Sequence, residues 1–253
     1  MAQKTLIDGT TYEMSCGHAL VNGTGYSIDR GKTLVDGTAY EINFIKRLGK
    51  LDVGESVYFN VNGIPTEFFV IQQGLPSSEY DSSCDGTWLL MKNIYESRSA
   101  DGDRSGDYEN TDLHNYLNNG FLNMFDSNIK SSIKQVKLPY TKGAGKEGVV
   151  AAGASGISTK VFLLSATELN FTGEGTFVEG VVLDYFKGTG AWSSKRIAYL
   201  NGTATVWWLR SPHNRYSSNL FGVNARGGFT YGHVADSYGV RPAIIMPSDF
   251  VIN

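Results

Sequence analysis

The chain has 253 residues, of which 41% are hydrophobic and 19% are charged, and its formal net charge at pH 7 is −3. This is the composition of a folded globular protein, and it excludes a disordered chain. The slightly acidic charge argues against nucleic acid or an anionic membrane as the main partner, because both require a basic face.

The N-terminal residues contain no apolar core of a signal peptide, and no run of about 18 apolar residues occurs anywhere in the chain. We therefore expect a protein that is made in a bacterial cytoplasm, has no signal peptide and does not insert into a membrane. Cys16 and Cys84 are too few and too far apart for a disulfide framework or a metal knuckle, so we expect both to remain thiols.

The first 42 residues contain a repeat with a spacing of 14 residues, in segments that begin at Lys4, His18 and Lys32. Each segment has a tight-turn dipeptide between β-prone residues, which predicts a two-stranded hairpin. Because a lone hairpin is marginal in water, we assign residues 1–45 either to attachment and oligomerisation or to a β extension that packs on the main domain. The turn dipeptides are Asp8-Gly9, Asn22-Gly23 and Asp36-Gly37.

Residues 46–253 are predicted to form one α+β domain. Strands are expected at 56–61, 66–72, 87–92 and 160–164, and the first two are joined at Asn62-Gly63. Apolar spacing predicts one helix that begins near Thr111 and another from about Asn128. Ser165 and Glu168 have the spacing of a capping box, which predicts a short third helix. The Gly-rich stretch 143–158 is expected to be a mobile loop.

Two motifs in this domain suggest ligands. Gly143-Ala144-Gly145-Lys146-Glu147-Gly148 has the spacing of a dinucleotide-binding loop, but the Gly-rich residues after it do not predict a helix, so we expect no cofactor. The segment from Asp101 to Asp112 resembles a calcium loop, although its twelfth position is Asp instead of the usual Glu. We make no firm metal assignment to its oxygen-bearing side chains, which are Asp101, Asp103, Ser105, Asp107 and Asp112.

No residues have the pattern of a catalytic site. The histidines are scattered, and no Ser or Cys nucleophile has a recognisable local setting. We therefore expect that the chain is not an enzyme. The histidines are His18, His114, His213 and His233.

The 26 residues from His213 to Tyr238 contain no Lys, Glu, Gln, Met or Trp and are rich in Tyr, Phe, His, Asn, Ser, Arg and Gly. When the adenines of an AAT or AAC codon are replaced by other bases, the codon can encode fifteen amino acids. The five amino acids missing from this stretch are not among them. Gly, Asn and Ser are also ordinary loop residues, so a long surface loop is the alternative. The many large rings favour a binding surface, because rings give rigid contact area and small polar residues give adaptable hydrogen bonds. We call residues 213–238 the display segment.

The residues around the display segment resemble the variable proteins of diversity-generating retroelements. These have a C-type-lectin fold related to the formylglycine-generating enzyme. The similarity extends over about residues 50 to 250. Its motifs are Trp207-Trp208-Leu209-Arg210-Ser211-Pro212, Phe221, Val223-Asn224, Gly227 and Gly239-Val240-Arg241-Pro242-Ala243, with upstream matches at Asp107–Asn118 and Val161–Leu169.

This resemblance implies a C-type-lectin-like fold in which mutagenised side chains are displayed on a fixed scaffold. Formylglycine-generating activity is not expected, because the chain has no cysteine after Cys84. The Glu-Pro-Asn and Gln-Pro-Asp motifs of calcium-dependent sugar binding are also absent. The resemblance therefore implies recognition without catalysis.

We predict that the display segment contacts ligand through rings and nearby polar groups. Arg210 and Arg241 are interpreted as structural, each bracing loop carbonyls or a carboxylate, with an anion clamp as the alternative. Of Trp207 and Trp208, we expect one in the core and the other under the display segment. The predicted ligand-binding residues are His213, Asn214, Arg215, Tyr216, Ser218, Asn219, Phe221, Asn224, Arg226, Phe229, Tyr231, His233, Asp236 and Tyr238.

The first functional hypothesis is a receptor-binding protein of a phage tail tip or fibre, present in the virion. It binds a host surface protein or glycan, and its N-terminal repeats contact other tail proteins. We expect a homo-oligomer, a trimer by analogy with tail proteins. The alternatives are a bacterial ligand-binding variable protein and an enzyme of the same fold that acts on surface glycan.

Overall fold

The computed structural model describes residues 3–7, 10–14, 18–21, 24–27, 30–35, 38–43, 46–102, 105–173 and 175–252. The chain divides into two compact units, residues 47–250 and residues 1–46 with 251–253. The larger unit combines β-sheets with a few short helices, so the α+β class is confirmed.

The strands are short and are numbered in chain order. They are β1 (Gln3–Ile7), β2 (Thr10–Met14), β3 (His18–Val21), β4 (Thr24–Ser27), β5 (Arg30–Val35), β6 (Thr38–Asn43), β7 (Lys46–Arg47), β8 (Ser56–Val61), β9 (Ile64–Gln73), β10 (Thr87–Met91), β11 (Glu96–Arg98), β12 (Val136–Leu138), β13 (Tyr140–Lys142), β14 (Val149–Ala151), β15 (Ile157–Thr159), β16 (Val161–Phe162), β17 (Tyr199–Leu200), β18 (Thr203–Ala204), β19 (Trp207–Pro212), β20 (Asn219–Val223), β21 (Phe229–His233), β22 (Tyr238–Val240), β23 (Ala243–Met246) and β24 (Val251–Ile252).

The helices are α1 (Asp112–Asn119) and α2 (Ser127–Ser132). Short 3-10 helices lie at Leu48–Lys50, Ser82–Cys84, Tyr108–Asn110, Phe121–Met124, Gly145–Glu147, Asp184–Phe186 and Ser194–Arg196. No helix in the described part of the chain is long and apolar enough to span a membrane.

The smaller unit contains antiparallel strand pairs β1–β2, β3–β4 and β5–β6. In the first pair Ile7 lies opposite Thr10, and the other two pairs have the equivalent register. The dipeptides predicted to form the turns, Asp8-Gly9, Asn22-Gly23 and Asp36-Gly37, lie outside the described residues, as does Cys16.

One five-stranded sheet of the larger unit has the order β16-β23-β10-β9-β8, with every neighbour antiparallel. Every residue of β10 and β23 is buried, and all of them are apolar except Thr87. Such runs are expected where both faces of a strand are covered. The predicted β8–β9 hairpin is confirmed, and Asn62 and Gly63 at its turn both have positive φ, as a primed turn requires.

The second five-stranded sheet has the order β11-β22-β19-β20-β21, and we call it the display sheet because it carries the display segment. Its neighbours are antiparallel except for β19 and β22, which are parallel. All six residues of β19 are buried. The display segment therefore begins where a fully buried strand ends.

The two predicted helices are present: Thr111 caps α1 by accepting from the His114 amide, and α2 begins at Ser127. The predicted third helix is wrong. Ser165 and Glu168 form the reciprocal capping hydrogen bonds, but only a turn follows, and it ends at Asn170 with φ of 62°. The stretch 143–158 is not one irregular loop, because it includes β14, the start of β15 and a 3-10 helix.

Candidate functional site

The display segment folds as a hairpin on the edge of the display sheet. It leaves β19 at Pro212, forms β20 and β21, and ends at Tyr238 in β22. Phe221 lies directly opposite Tyr231, and Val223 lies opposite Phe229. Because directly opposed residues in an antiparallel pair project from the same face, the hairpin gathers its odd-numbered side chains on one face.

Five rings of the segment form what we call the aromatic cluster: His213, Tyr216, Phe221, Phe229 and Tyr231. Phe221 stacks on Phe229 at a centroid distance of 4.3 Å and on His213 at 5.0 Å. His213 also contacts the rings of Tyr216 at 4.6 Å and Tyr231 at 4.8 Å. The cluster is therefore one continuous aromatic surface made from both strands and the loop before them.

The depth of these rings differs, and this divides the predicted ligand residues into two sets. The side chains of Tyr216 and Tyr231 are about half exposed, at 52% and 48%. Phe221 is 1% exposed and His213 is 6% exposed, so both lie under the surface and not on it. Tyr216 and Tyr231 can contact a ligand directly, whereas Phe221 and His213 support them.

A cavity of about 200 Å³ lies beside the cluster, lined by Gly175, His213, Arg215, Tyr216 and Tyr231. Gly175 has φ of +91°, and a Cβ there would lie 3.0 Å from the His213 ring, so a larger residue would crowd that ring and strain the backbone. The Gly175 carbonyl accepts from the Asn214 amide at 2.9 Å. No pattern in the sequence marks Gly175, because it lies far from the display segment along the chain.

Tyr238 does not belong to the aromatic cluster. Its ring stacks on Trp208 at a centroid distance of 4.2 Å, and a Cβ on Gly232 would overlap its hydroxyl. Since Gly232 and Tyr231 are neighbours on one strand, these two positions face opposite sides of the sheet. The predicted single set of aromatic anchors is therefore split between two faces.

The predicted polar residues are half-buried or exposed, and some of them hold the turns of the segment. The side-chain Oδ1 of Asn224 accepts from the backbone amides of Arg226 and Gly228, and the Asp236 carboxylate accepts from the His233 amide. Asn224 and Asp236 therefore shape the turns as well as facing solvent. The remaining polar residues of the prediction are Asn214, Arg215, Ser218 and Asn219.

The surroundings of His213 favour the neutral form of its imidazole. Burial and the nearby Arg215 lower the pKa of its imidazole, and its Nδ1 accepts from the Arg215 amide at 3.0 Å. A protonated ring has no acceptor at Nδ1, so protonation would break this hydrogen bond. The loop that carries Tyr216 is thus held by a hydrogen bond that requires the neutral form of His213.

We expect an NMR titration to give His213 a pKa below the ordinary value of about 6.5. The folded-state pKa is lowered, so its contribution to stability is present above about pH 6.5 and is lost as the pH falls towards the folded-state pKa. The same chain in denaturant, where this histidine is solvated, serves as the control. A His213 pKa at or above the denatured value would contradict the described hydrogen bond.

Arg210 on β19 anchors the start of the display segment. Its guanidinium makes two hydrogen bonds to the Glu168 carboxylate, at 2.6 and 2.7 Å, and others to the carbonyls of Pro139 and Leu163. The side chains of this ion pair are 0% exposed. Burial alone would lower the pKa of Arg210, but the Glu168 carboxylate more than offsets it and raises that pKa. Tyr80 donates to the same carboxylate at 3.0 Å.

Glu179 is a second buried carboxylate beside β19. It accepts from the Thr141 amide at 2.6 Å and from the Ser211 hydroxyl through a short hydrogen bond. Burial raises the pKa of this carboxyl group, against the opposing charge of Arg210. Glu168 and Glu179 together hold consecutive residues of β19, so the direction in which the display segment leaves the core is fixed.

Trp207 and Trp208 are both fully buried, on opposite faces of β19. The Trp207 ring lies 4.9 Å from the Arg241 guanidinium, and its Nε1 donates to the Arg196 carbonyl. Trp208 lies under Tyr238, and its Nε1 donates to the Arg98 carbonyl. Both faces of the strand are covered, so neither ring reaches solvent.

Arg196 supports the display segment from outside it. Its buried guanidinium donates to the carbonyls of Leu169, Gly190 and Gly227. Gly227 lies in the turn between β20 and β21, so Arg196 ties that turn to the core. No local motif marks this arginine in the sequence, because its partners are backbone carbonyls from distant segments.

The candidate calcium loop uses its carboxylates within the protein. Asp101 accepts from the Ser105 amide at 2.7 Å, and Asp112 accepts from the Gly102 amide at 3.0 Å. Asp107 accepts from the Gly143 amide, and Asp103 lies outside the described residues. Among the residues that the structure describes, no three His, Cys, Asp or Glu side chains are placed to hold a metal ion.

The family assignment rests on residues 85–248, which match the family model described as Domain of unknown function (DUF6273). The chain belongs to this family. The matched part of the DUF6273 domain contains the whole display sheet, the aromatic cluster and the Arg210–Glu168 pair. No curated protein and no solved structure matches the chain.

Proposed function

We propose that this chain is a receptor-binding protein of a bacteriophage tail, which adheres to a host surface protein or glycan through its display segment. The observation that carries the proposal is the contrast in exposure within the aromatic cluster. Tyr216 and Tyr231 are half exposed around a small cavity, while Phe221 beneath them is buried. Exposed rings on a rigid base are typical of recognition surfaces, because little conformational entropy is lost on binding.

We propose a C-type-lectin-like fold for residues 46–253. Its support is the mixed α+β architecture and the place of the display segment, which leaves and re-enters the sheet between buried residues of β19 and β22. Arg210, Arg241, Trp207 and Trp208 are all buried at these boundaries. Such a frame holds both ends of the display segment, so its exposed residues can change while the buried residues of β19 and β22 stay fixed.

We propose that recognition is not followed by catalysis and needs no cofactor. Residues 1–45 are proposed to attach the protein to other tail proteins and to form a homo-oligomer, a trimer by analogy. Several weak display surfaces in one particle would then act together, since a second binding event is intramolecular. The virion is the proposed location.

Sequencing of the codons for residues 200 to 245 in a natural population tests whether the surface is diversified. We expect variation confined to residues 213–238, at codons consistent with adenine replacement, and concentrated at exposed positions such as Arg215, Tyr216 and Tyr231. The codons of β19 and of Gly239 to Pro242 are the internal control and should stay constant. A uniform display segment across the population would contradict diversification and leave a fixed adhesin or an enzyme.

A further inference from the structure

Among the described residues of the larger unit, three arginines are fully buried, and one of these three lacks a complete set of partners. Arg210 is paired with a carboxylate, and every guanidinium nitrogen of Arg196 donates to an oxygen. Arg241 is 2% exposed, and its Nε and Nη2 donate to the carbonyls of Met91 and Lys92. Its Nη1 has no hydrogen-bond partner, and no carboxylate among the described residues pairs with it.

An incompletely paired buried cation is costly, because the charge has lost its water without gaining a counter-charge. The aromatic rings of Trp207 and Phe69 lie 4.9 and 5.6 Å from the Arg241 guanidinium and offset part of this cost. Burial nevertheless lowers the pKa of Arg241 to about 9. The guanidinium would be stabilised by an anion that reached it.

Arg241 lines a cleft of about 270 Å³ in the same unit. The charged residues of its lining are Lys92, Lys195 and Arg241, and no acidic side chain is among the lining residues. The Lys92 Nζ lies 2.8 Å from a carboxylate oxygen of Glu67, a residue that does not line the cleft. The Lys195 Nζ donates to the Tyr185 carbonyl. The cleft therefore presents three cationic groups, one of them buried and incompletely paired.

The uncharged part of the lining includes the side chains of Ser56, Asn93, Ser194, Tyr185 and Tyr199. Hydroxyl and amide groups bind the hydroxyls of a sugar, and an exposed ring such as Tyr199 can stack on one. No residue of this lining also lines the cavity beside the aromatic cluster. The cleft is thus a separate place on the larger unit.

We propose that this cleft binds a small hydroxylated oxyanion, a sugar acid or sugar phosphate, with its anionic group on Arg241 and the two lysines. The guanidinium fork suits the planar or tetrahedral oxygens of a carboxylate or a phosphate, and the two lysines of the lining add positive charge. The inference does not depend on the proposed adhesin function. A fixed anion site and a variable display surface can each exist without the other.

Isothermal titration calorimetry on the full chain tests the site, with inorganic phosphate, D-glucuronate, D-glucose 6-phosphate and neutral D-glucose as probes at constant ionic strength. We expect at least one anionic probe to bind saturably and D-glucose not to bind. Binding by phosphate and glucose 6-phosphate identifies a phosphate ligand, and binding by glucuronate alone identifies a carboxylate. The absence of saturable binding by all anionic probes overturns the proposal.

Variants locate the binding. Lys195→Met and Lys92→Met should each weaken the best probe about tenfold, and Arg241→Lys should weaken it at least as much because the fork is lost. Lys187→Met is the matched control: it removes the same charge from an exposed lysine, paired with Asp184, that does not line the cleft. If Lys92→Met and Lys195→Met bind as tightly as Lys187→Met, the cleft is not the site, whether or not Arg241→Lys folds.

Discussion

Replacing Arg210 by Met should lower the free energy of unfolding by about 3–5 kcal/mol. The variant leaves the Glu168 carboxylate in a fully buried site without its counter-charge. It also removes the donors to the carbonyls of Pro139 and Leu163, which then lack their hydrogen bonds. Urea unfolding followed by tryptophan fluorescence measures the change.

The double variant Arg210→Met with Glu168→Leu separates the cost of the unpaired Glu168 carboxylate from the cost of the lost hydrogen bonds to the carbonyls. With both charges gone, the unpaired buried carboxylate is also gone, so the double variant should be more stable than Arg210→Met alone. Lys187→Met provides the surface comparison, because its ion pair with Asp184 is exposed. That change should cost less than about 1 kcal/mol. Equal losses for Lys187→Met and Arg210→Met would show that the buried pair does not hold the frame.

The second large effect is on adhesion. Tyr216→Ala and Tyr231→Ala should each weaken binding to host cells at least about 30-fold, because both rings stand half exposed beside the cavity and would be covered by a ligand. Each change should cost less than about 1.5 kcal/mol of stability. Adsorption of the labelled protein to a panel of bacterial strains measures binding, and thermal unfolding measures stability.

Two further variants make this test specific. Tyr58→Ala removes a tyrosine that is 61% exposed on β8, outside the display sheet, and should leave adsorption unchanged. Phe221→Ala removes the buried ring beneath the cluster and should cost about 3–5 kcal/mol of stability. If Tyr216→Ala and Tyr231→Ala adsorb like the unmodified chain while the strain panel contains a host, the aromatic cluster is not the receptor contact.

The separation of Tyr238 from the cluster changes how this experiment is designed. From sequence, Tyr216, Tyr231 and Tyr238 form one equivalent set of anchors, so a triple replacement would be the natural test. Tyr238 instead stacks on Trp208 on the other face of the sheet. Its replacement would disturb the packing of β19 and confuse a loss of stability with a loss of binding.

Short sequence patterns predict those strands and helices that are stabilised mainly by neighbouring residues. The β8–β9 hairpin follows from alternation around Asn62-Gly63, and α1 follows from its Thr111 cap and apolar face. Ser165 and Glu168 have the spacing of a capping box, and the hydrogen bonds of that box form. The helix it predicted does not, because Asn170 turns out of the helical conformation and the Glu168 carboxylate also binds Arg210.

The sequence by itself determined the α+β class, the β8–β9 hairpin and helix α1, because alternation, turn residues and caps are local properties. Only the tertiary structure decided which rings are exposed, that Tyr238 lies apart, and that Gly175, Glu168, Glu179 and Arg196 support the segment. The tertiary structure also shows that the Arg241 Nη1 has no hydrogen-bond partner. These features depend on strand order and on contacts between residues far apart in the chain, which no local pattern encodes.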